Sequence, residues 1–265
     1  MNPKDRKDLE RAHRLLNAPS VAMQVANYVG KPIEIGIEML PDGGKQLITE
    51  ATQLALSKAM EVAVFNMEDD AKRTASPWWH KFAVAASGAA GGAFGLGALA
   101  VELPISTVIM LRSIIDIARS EGESIATAEA QLECLTVFAL GGDSPADDGT
   151  DTGYYAARIA LAKAMGEAVE YMAGRAVAEG GVPVLVRLIA TIAERFSIQV
   201  TEKVVAQAVP IIGAIGGATI NTLFIDHFQN MARGHFIIRR LERKYGLEVI
   251  QESFLALPLK DDGDI

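Results

Sequence analysis

His227 and His235 stand two helical turns apart with Met231 between them, a spacing that invites comparison with a metal site. A metal bridging both imidazoles would need the thioether as a third ligand, a poor set for a hard cation, so no metal site is expected. Hydrolysis would need an acid and a base or nucleophile in one cleft, and Glu102 and Asp116 converging on His227 is the arrangement that would supply them. Cys134, the single cysteine, sits among Leu132, Leu135 and Val137 with no local base, which is the setting of a small hydrophobe rather than a nucleophile. HExxH, GxSxG, GxxxxGK[ST] and CxxC are all absent. No catalytic residue and no cofactor is assigned, and the polar residues Glu102, Arg112, Asp116, Asn221, Asp226 and His227 are read as a cluster that must reach water or satisfy one another. Arg112 and Asp116 are spaced for an i,i+4 pair.

The elements around these residues are two uncharged, glycine-rich stretches. Phe82 to Val101 carries Gly88/Gly92 and Gly91/Gly95 one turn apart and is closed by Glu102-Leu103-Pro104. Val204 to Ile225 carries Gly213/Gly217 at the same spacing. Such rows let two helix backbones approach closely, so the stretches are expected to pack against each other as the halves of one core. The first is long enough to span a bilayer, but glycine and alanine give it little apolar area, and each glycine weakens a helix by up to about 1 kcal/mol. Small side chains also leave space, which an acyl chain could occupy against Gly88, Gly92, Phe94, Leu96, Gly213, Gly217, Phe224 and Phe228. Trp78 and Trp79, beside Lys81, resemble an interfacial belt, or equally large rings closing the end of a core.

With 265 residues, half of them hydrophobic, the chain can bury a sizeable core, and its formal charge of −8 argues against nucleic acid as a partner. One cysteine excludes an internal disulfide, and the charged N-terminus has no apolar signal region, so a cytoplasmic setting is expected. Helices are expected from Asp5 to Leu16, from Leu47 to Phe65, after Pro104 with Ile105, Val108, Ile109, Ile115 and Ala118 inward, from Thr127, from Tyr155 to Ala178, and from Pro183 to Val209. Glu194/Arg195 and Glu202/Lys203 are placed on polar faces. Residues 141–153 read as an acidic linker without the glycine and terminal glutamate of a calcium loop. In the last long helix Phe224, Phe228, Met231, His235, Ile238, Leu241 and Tyr245 form a buried stripe. Arg233, Arg239, Arg240, Arg243 and Lys244 decorate its other faces, opposed locally only by Glu242, and could meet anionic headgroups.

Two of these segments carry a family likeness. The glycine-rich run closing in ELP, with LRSIIDIAR at Leu111 to Arg119, resembles the first signature of the EcsC family, and Gly213 to Glu242 resembles the second. Together they cover most of Pro77 to Gly246, while the stretch before Pro77 carries little of the likeness. The resemblance implies recurrent polar positions at Glu102, Arg112, Asp116, Asn221, Asp226, Arg233 and Arg240. It also implies a link to an ABC transporter implicated in secretion, and some family members carry a peptidase label.

The expected fold is all-α, a single compact bundle with two central glycine/alanine-rich helices. Residues 1–76 are expected to form a helical cover, 77–257 the core and 258–265 an acidic tail. The expected function is binding of phospholipid or another amphiphile by a protein peripheral at the inner face of the membrane, with a role as accessory to a membrane protein complex as the alternative.

Overall fold

The computed structural model describes residues 1–20, 40, 43–65, 95–141, 153–174, 181–208 and 217–258. Among them the protein is all-α, with helices α1 (Pro3–Leu16), α2 (Gly44–Phe65), α3 (Gly95–Ser120), α4 (Ala128–Thr136), α5 (Gly153–Met172), α6 (Gly181–Ala208), α7 (Gly217–Tyr245) and α8 (Leu247–Leu255). A 3-10 turn, Val137–Ala139, extends α4.

Local chemistry accounts for several boundaries. Asn2 caps α1 by accepting the Asp5 N–H at 2.8 Å, with Pro3 at the first helical position where its missing N–H costs nothing. Thr127 caps α4, accepting the Ala130 N–H at 3.3 Å, and so opens the helix where the sequence places it. α3 departs from expectation because it runs straight through Pro104. Proline removes the donor to the Ala100 carbonyl, and Ala100 is exposed, so water can replace it. The buried face of α3 is then Leu103, Met110, Leu111, Ile114, Ile115 and Ala118, whereas Ile105, Val108 and Ile109 are half-buried.

α7 is the spine. Phe224, Phe228, Met231, His235, Ile238 and Leu241 are buried along it and Tyr245 is half-buried, as the periodicity predicts. Its neighbours are α1, α3, α6 and α8, while α2 packs on α3 and α6. α2 does so through Ile48, Ala51, Ala55, Ala59 and Ala63, a row of mostly small residues that lets its axis approach closely. Phe138, Phe196, Phe224 and Phe228 form the aromatic centre, with ring centroids 5.0 to 6.1 Å apart. α5 and α6 form the expected hairpin, tied by Arg187–Glu167 at 2.7 Å.

The stretch Val204 to Ile225 is not one helix. Its described parts belong to α6 and α7, which run antiparallel: Phe196 meets Phe228, Lys203 lies over Phe224, and Gln207 bonds Asn221. Pro210 and the glycines after it disfavour a continuous helix. Gly88, Gly92, Phe94, Gly213, Trp78 and Trp79 lie outside the described residues, as does most of the acidic linker. Leu96 and Gly217 fall in the first turns of α3 and α7.

One glycine sets a crossing. A Cβ on Gly234 of α7 would stand 2.6 Å from Leu16 Cγ and 3.2 Å from the Ala12 carbonyl oxygen of α1. Gly234→Ala should therefore push α1 off α7 and cost about 1–3 kcal/mol in chemical denaturation, the usual penalty of overpacking. An unchanged midpoint would mean that the crossing is loose.

Candidate functional site

The basic face of α7 does not stand open. Its cations meet acids brought from α1, from the turn between α3 and α4, and from α4 itself. Arg239 forks three ways, donating from Nε to Glu123 at 2.9 Å, from Nη1 to Glu133 at 2.7 Å and from Nη2 to Glu129 at 2.9 Å. Arg240 donates to Glu121 at 2.7 Å and to Asp8 at 2.9 Å. Arg243 pairs with Glu123 and donates to the Glu121 carbonyl at 2.9 Å. Lys244 and Tyr245 both donate to Asp5, at 2.5 and 2.6 Å. Arg233 donates to Asn230 and Gln229 on its own helix, at 3.0 and 3.2 Å. The expectation of cations opposed only by Glu242 thus gives way to a network whose acids lie far away in sequence. Burial opposes the charge on Glu123, but Arg239 and Arg243 outweigh it and lower its pKa.

A second network runs inward from the first. Arg158 grips Glu242 with two bonds, at 2.6 and 3.0 Å. Tyr154 Oη lies 3.1 Å from His235 Nδ1, and His235 Nε2 lies 3.0 Å from Glu133. One neutral tautomer satisfies every group: Tyr154 donates to Nδ1, and Nε2–H donates to Glu133. Burial lowers the His235 pKa against the pull of Glu133 and favours that neutral form. Burial raises the Glu133 pKa, but His235, Arg239 and Arg158 more than reverse this and hold it at about 2. Tyr154 and His235 are both buried, with no open face for a substrate. The chain of bonds therefore fastens α4 and α5 to α7 and is not a catalytic cleft.

The third polar feature lies at the other end of the bundle. Lys203 of α6, only 2% exposed, donates to Glu102 of α3 at 2.8 Å. Its ammonium sits 4.9 Å from the centroid of Phe224. One turn away, Gln207 donates to Asn221 at 3.3 Å. Lys203 is not on the polar face expected of it, because it extends the buried row Leu188, Ile192, Phe196 and Gln199. Val101, beside Glu102, is 63% exposed. At this end α3 begins, α6 ends and α7 begins, and the sequence adjoining each of these helix ends is uncharged.

Comparison with known proteins decides the family. The profile of the EcsC protein family matches residues 7–241. The chain belongs to the EcsC family. No curated protein and no solved structure gives a match. The EcsC match starts within α1 and so takes in α1 and α2, which the two signature segments leave out.

The polar positions implied by the EcsC signatures do not gather into one site. Glu102 and Asn221 lie at the Lys203 end. Asp226 is exposed, and so is Asp116, which takes Arg119 as partner at 3.3 Å. Arg112 is exposed on the same helix. Arg233 and Arg240 belong to the long basic face of α7. His227 is buried against Phe228, and neither ring nitrogen has a hydrogen-bond partner among the described residues. Cys134 is fully buried and burial pushes its thiol up, in keeping with a packing role. Among the described residues no group of three His, Cys, Asp or Glu side chains could hold a metal. Lys203, Glu133, Tyr154 and Arg158 were not singled out by sequence, although a lysine continuing an apolar helical row was a signal that could have found the first of them.

Proposed function

We propose that this EcsC protein is peripheral at the cytoplasmic face of a membrane and binds lipid or another amphiphile at the Lys203 end of the bundle. The Glu102–Lys203 pair carries the reading. A buried ion pair gives little net stability, since desolvation consumes most of its Coulomb energy, so its position needs another account. Here it lies where two long uncharged stretches join the helices, with an exposed valine next to it and a phenylalanine beneath the ammonium. Apolar surface around a small polar anchor is the composition of an amphiphile site.

The arginines of α7 take a different part from the one expected of them. Gly217 and Arg240 are about 35 Å apart along the helix at 1.5 Å per residue, too far for one lipid to touch both. Arg239, Arg240 and Arg243 already have carboxylate partners. Among the described residues no helix is long and apolar enough to cross a membrane.

Flotation of the purified protein with phospholipid vesicles, alongside mass spectrometry of co-purified lipid, tests the proposal. The wild type should float, and Val101→Asp should lose most of that binding with an unchanged melting temperature, because the altered side chain is exposed. Charge reversal of the arginines is the wrong probe, since it breaks the fold's own ion pairs. No flotation and no recovered lipid would favour the accessory role in a membrane protein complex.

A further inference from the structure

An amphiphile at the Lys203 end would present its headgroup to the Glu102–Lys203 pair. Resting on the amphiphile reading, we infer that the Glu102–Lys203 pair recognises a zwitterionic phospholipid headgroup with a primary ammonium, the phosphate meeting Lys203 and the ammonium meeting Glu102.

The pair is internally neutral, with its two charges 2.8 Å apart. An anionic headgroup could take Lys203 only by leaving the Glu102 carboxylate unpaired next to a second negative charge. A cationic amphiphile would strand the Lys203 ammonium in the same way. Either outcome leaves a poorly solvated charge uncompensated, which is strongly unfavourable. A zwitterion avoids both, since each protein charge exchanges its partner for one of the same sign and chemistry. Glu102 accepts an N–H from an ammonium in the structure, and a primary ammonium reproduces that bond while a quaternary one has no hydrogen to give.

The surroundings suit the exchange. Lys203 is held from below by the Phe224 ring, so its position does not depend on Glu102 alone. Glu102 is 19% exposed against 2% for Lys203, so the carboxylate is the partner with access to the surface and the one able to turn outward. Gln207, one turn along from Lys203, spends its amide on a long 3.3 Å bond to Asn221 and can re-aim it at a phosphate oxygen. On α7 the nearest arginine, Arg233, is about 14 Å from Phe224 along the axis and donates to Asn230 and Gln229 on its own helix, while Arg239 farther along is engaged by three glutamates.

The test uses the full chain with three vesicle compositions: phosphatidylcholine, an equimolar mixture with phosphatidylethanolamine, and an equimolar mixture with phosphatidylglycerol. Calorimetric titration with soluble glycerophosphoethanolamine, which keeps the phosphodiester and primary ammonium of the lipid, runs beside them. Ethanolamine vesicles should bind at least about tenfold better than the other two, the worth of one charge-assisted hydrogen bond. Glu102→Gln/Lys203→Met, which removes both charges together and so strands neither, should keep its melting temperature and lose that preference. A preference for phosphatidylglycerol, or equal binding to all three, would overturn the headgroup inference while leaving the amphiphile reading standing. No binding to any vesicle would remove both. Glycerophosphoethanolamine binding as tightly as the vesicles would show that the zwitterion recognised is a soluble molecule and overturn its assignment to a lipid.

Discussion

Replacing Arg239 with methionine should destabilise the fold by about 3–5 kcal/mol, the range found when one member of a buried ionic network is removed. The guanidinium is 13% exposed and serves Glu123 and Glu133, which are 7% and 16% exposed. Methionine fills much of the same space, so the loss is of charge and of three donors rather than of volume. Arg239→Lys should recover part of the stability, because one ammonium cannot reproduce a three-way fork. Arg243→Met is the control: it is 42% exposed and shares Glu123 with Arg239, so solvent screening should hold its effect below about 1 kcal/mol. The substitution also has an acid signature. Glu133 has its pKa lowered from 4.5 to about 2, so the stability it lends is complete above pH 4.5 and is lost as pH falls through 2. Without Arg239 that pKa rises, so the window below pH 4.5 narrows, the variant loses less stability to acid, and the gap between wild type and Arg239→Met shrinks as pH falls. Urea denaturation between pH 7 and 3 measures both effects, and equal costs for Arg239→Met and Arg243→Met would sink the account.

Why this network was illegible in the sequence is instructive. A helix shows its own neighbours three and four residues away, and on that basis α7 presents cations with a single acid among them. The partners of Arg239 and Arg240 lie more than one hundred residues distant, on α1 and around α4. Only the packing of α1 across Gly234, and of the α3–α4 turn against the end of α7, brings them in. What was legible rested on periodicity. The stripe from Phe224 to Leu241 is buried as read, and Thr127 opens α4 by the capping that its position implies. Pro104 misled because proline is a strong local breaker, yet a helix packed on its other faces tolerates one lost bond where the freed carbonyl meets water. Glu102 was noticed as a charge interrupting an apolar region. Its partner was missed because Lys203 sits beside Glu202 in sequence and looked solvated, although its register with Phe196 places it inward.

Acid should act through His227 in a separate window. The ring is 2% exposed, both nitrogens lack partners among the described residues, and burial alone lowers its pKa from 6.5 to about 4. The turn after the aromatic cluster seals it in. A Cβ on Gly141, where φ is +76°, would stand 2.7 Å from His227 Nε2 and 2.6 Å from Met231 Sδ. A histidine kept neutral in the fold and free to protonate when unfolded stabilises the fold fully above pH 6.5. That contribution is lost as pH falls through 4 and amounts to about 3 kcal/mol across the window. His227→Leu removes the titration and spares two buried nitrogens their lost hydrogen bonds, so the variant should be no less stable than wild type at pH 8. The gap between the two should then widen in the variant's favour by about 3 kcal/mol on going from pH 6.5 to 4. Some acid lability must remain in both, since burial also lowers the pKa of His13 and His235. Parallel stability curves for the two proteins would mean that His227 reaches water or a carboxylate when protonated, and that the Gly141 turn yields to it at little cost.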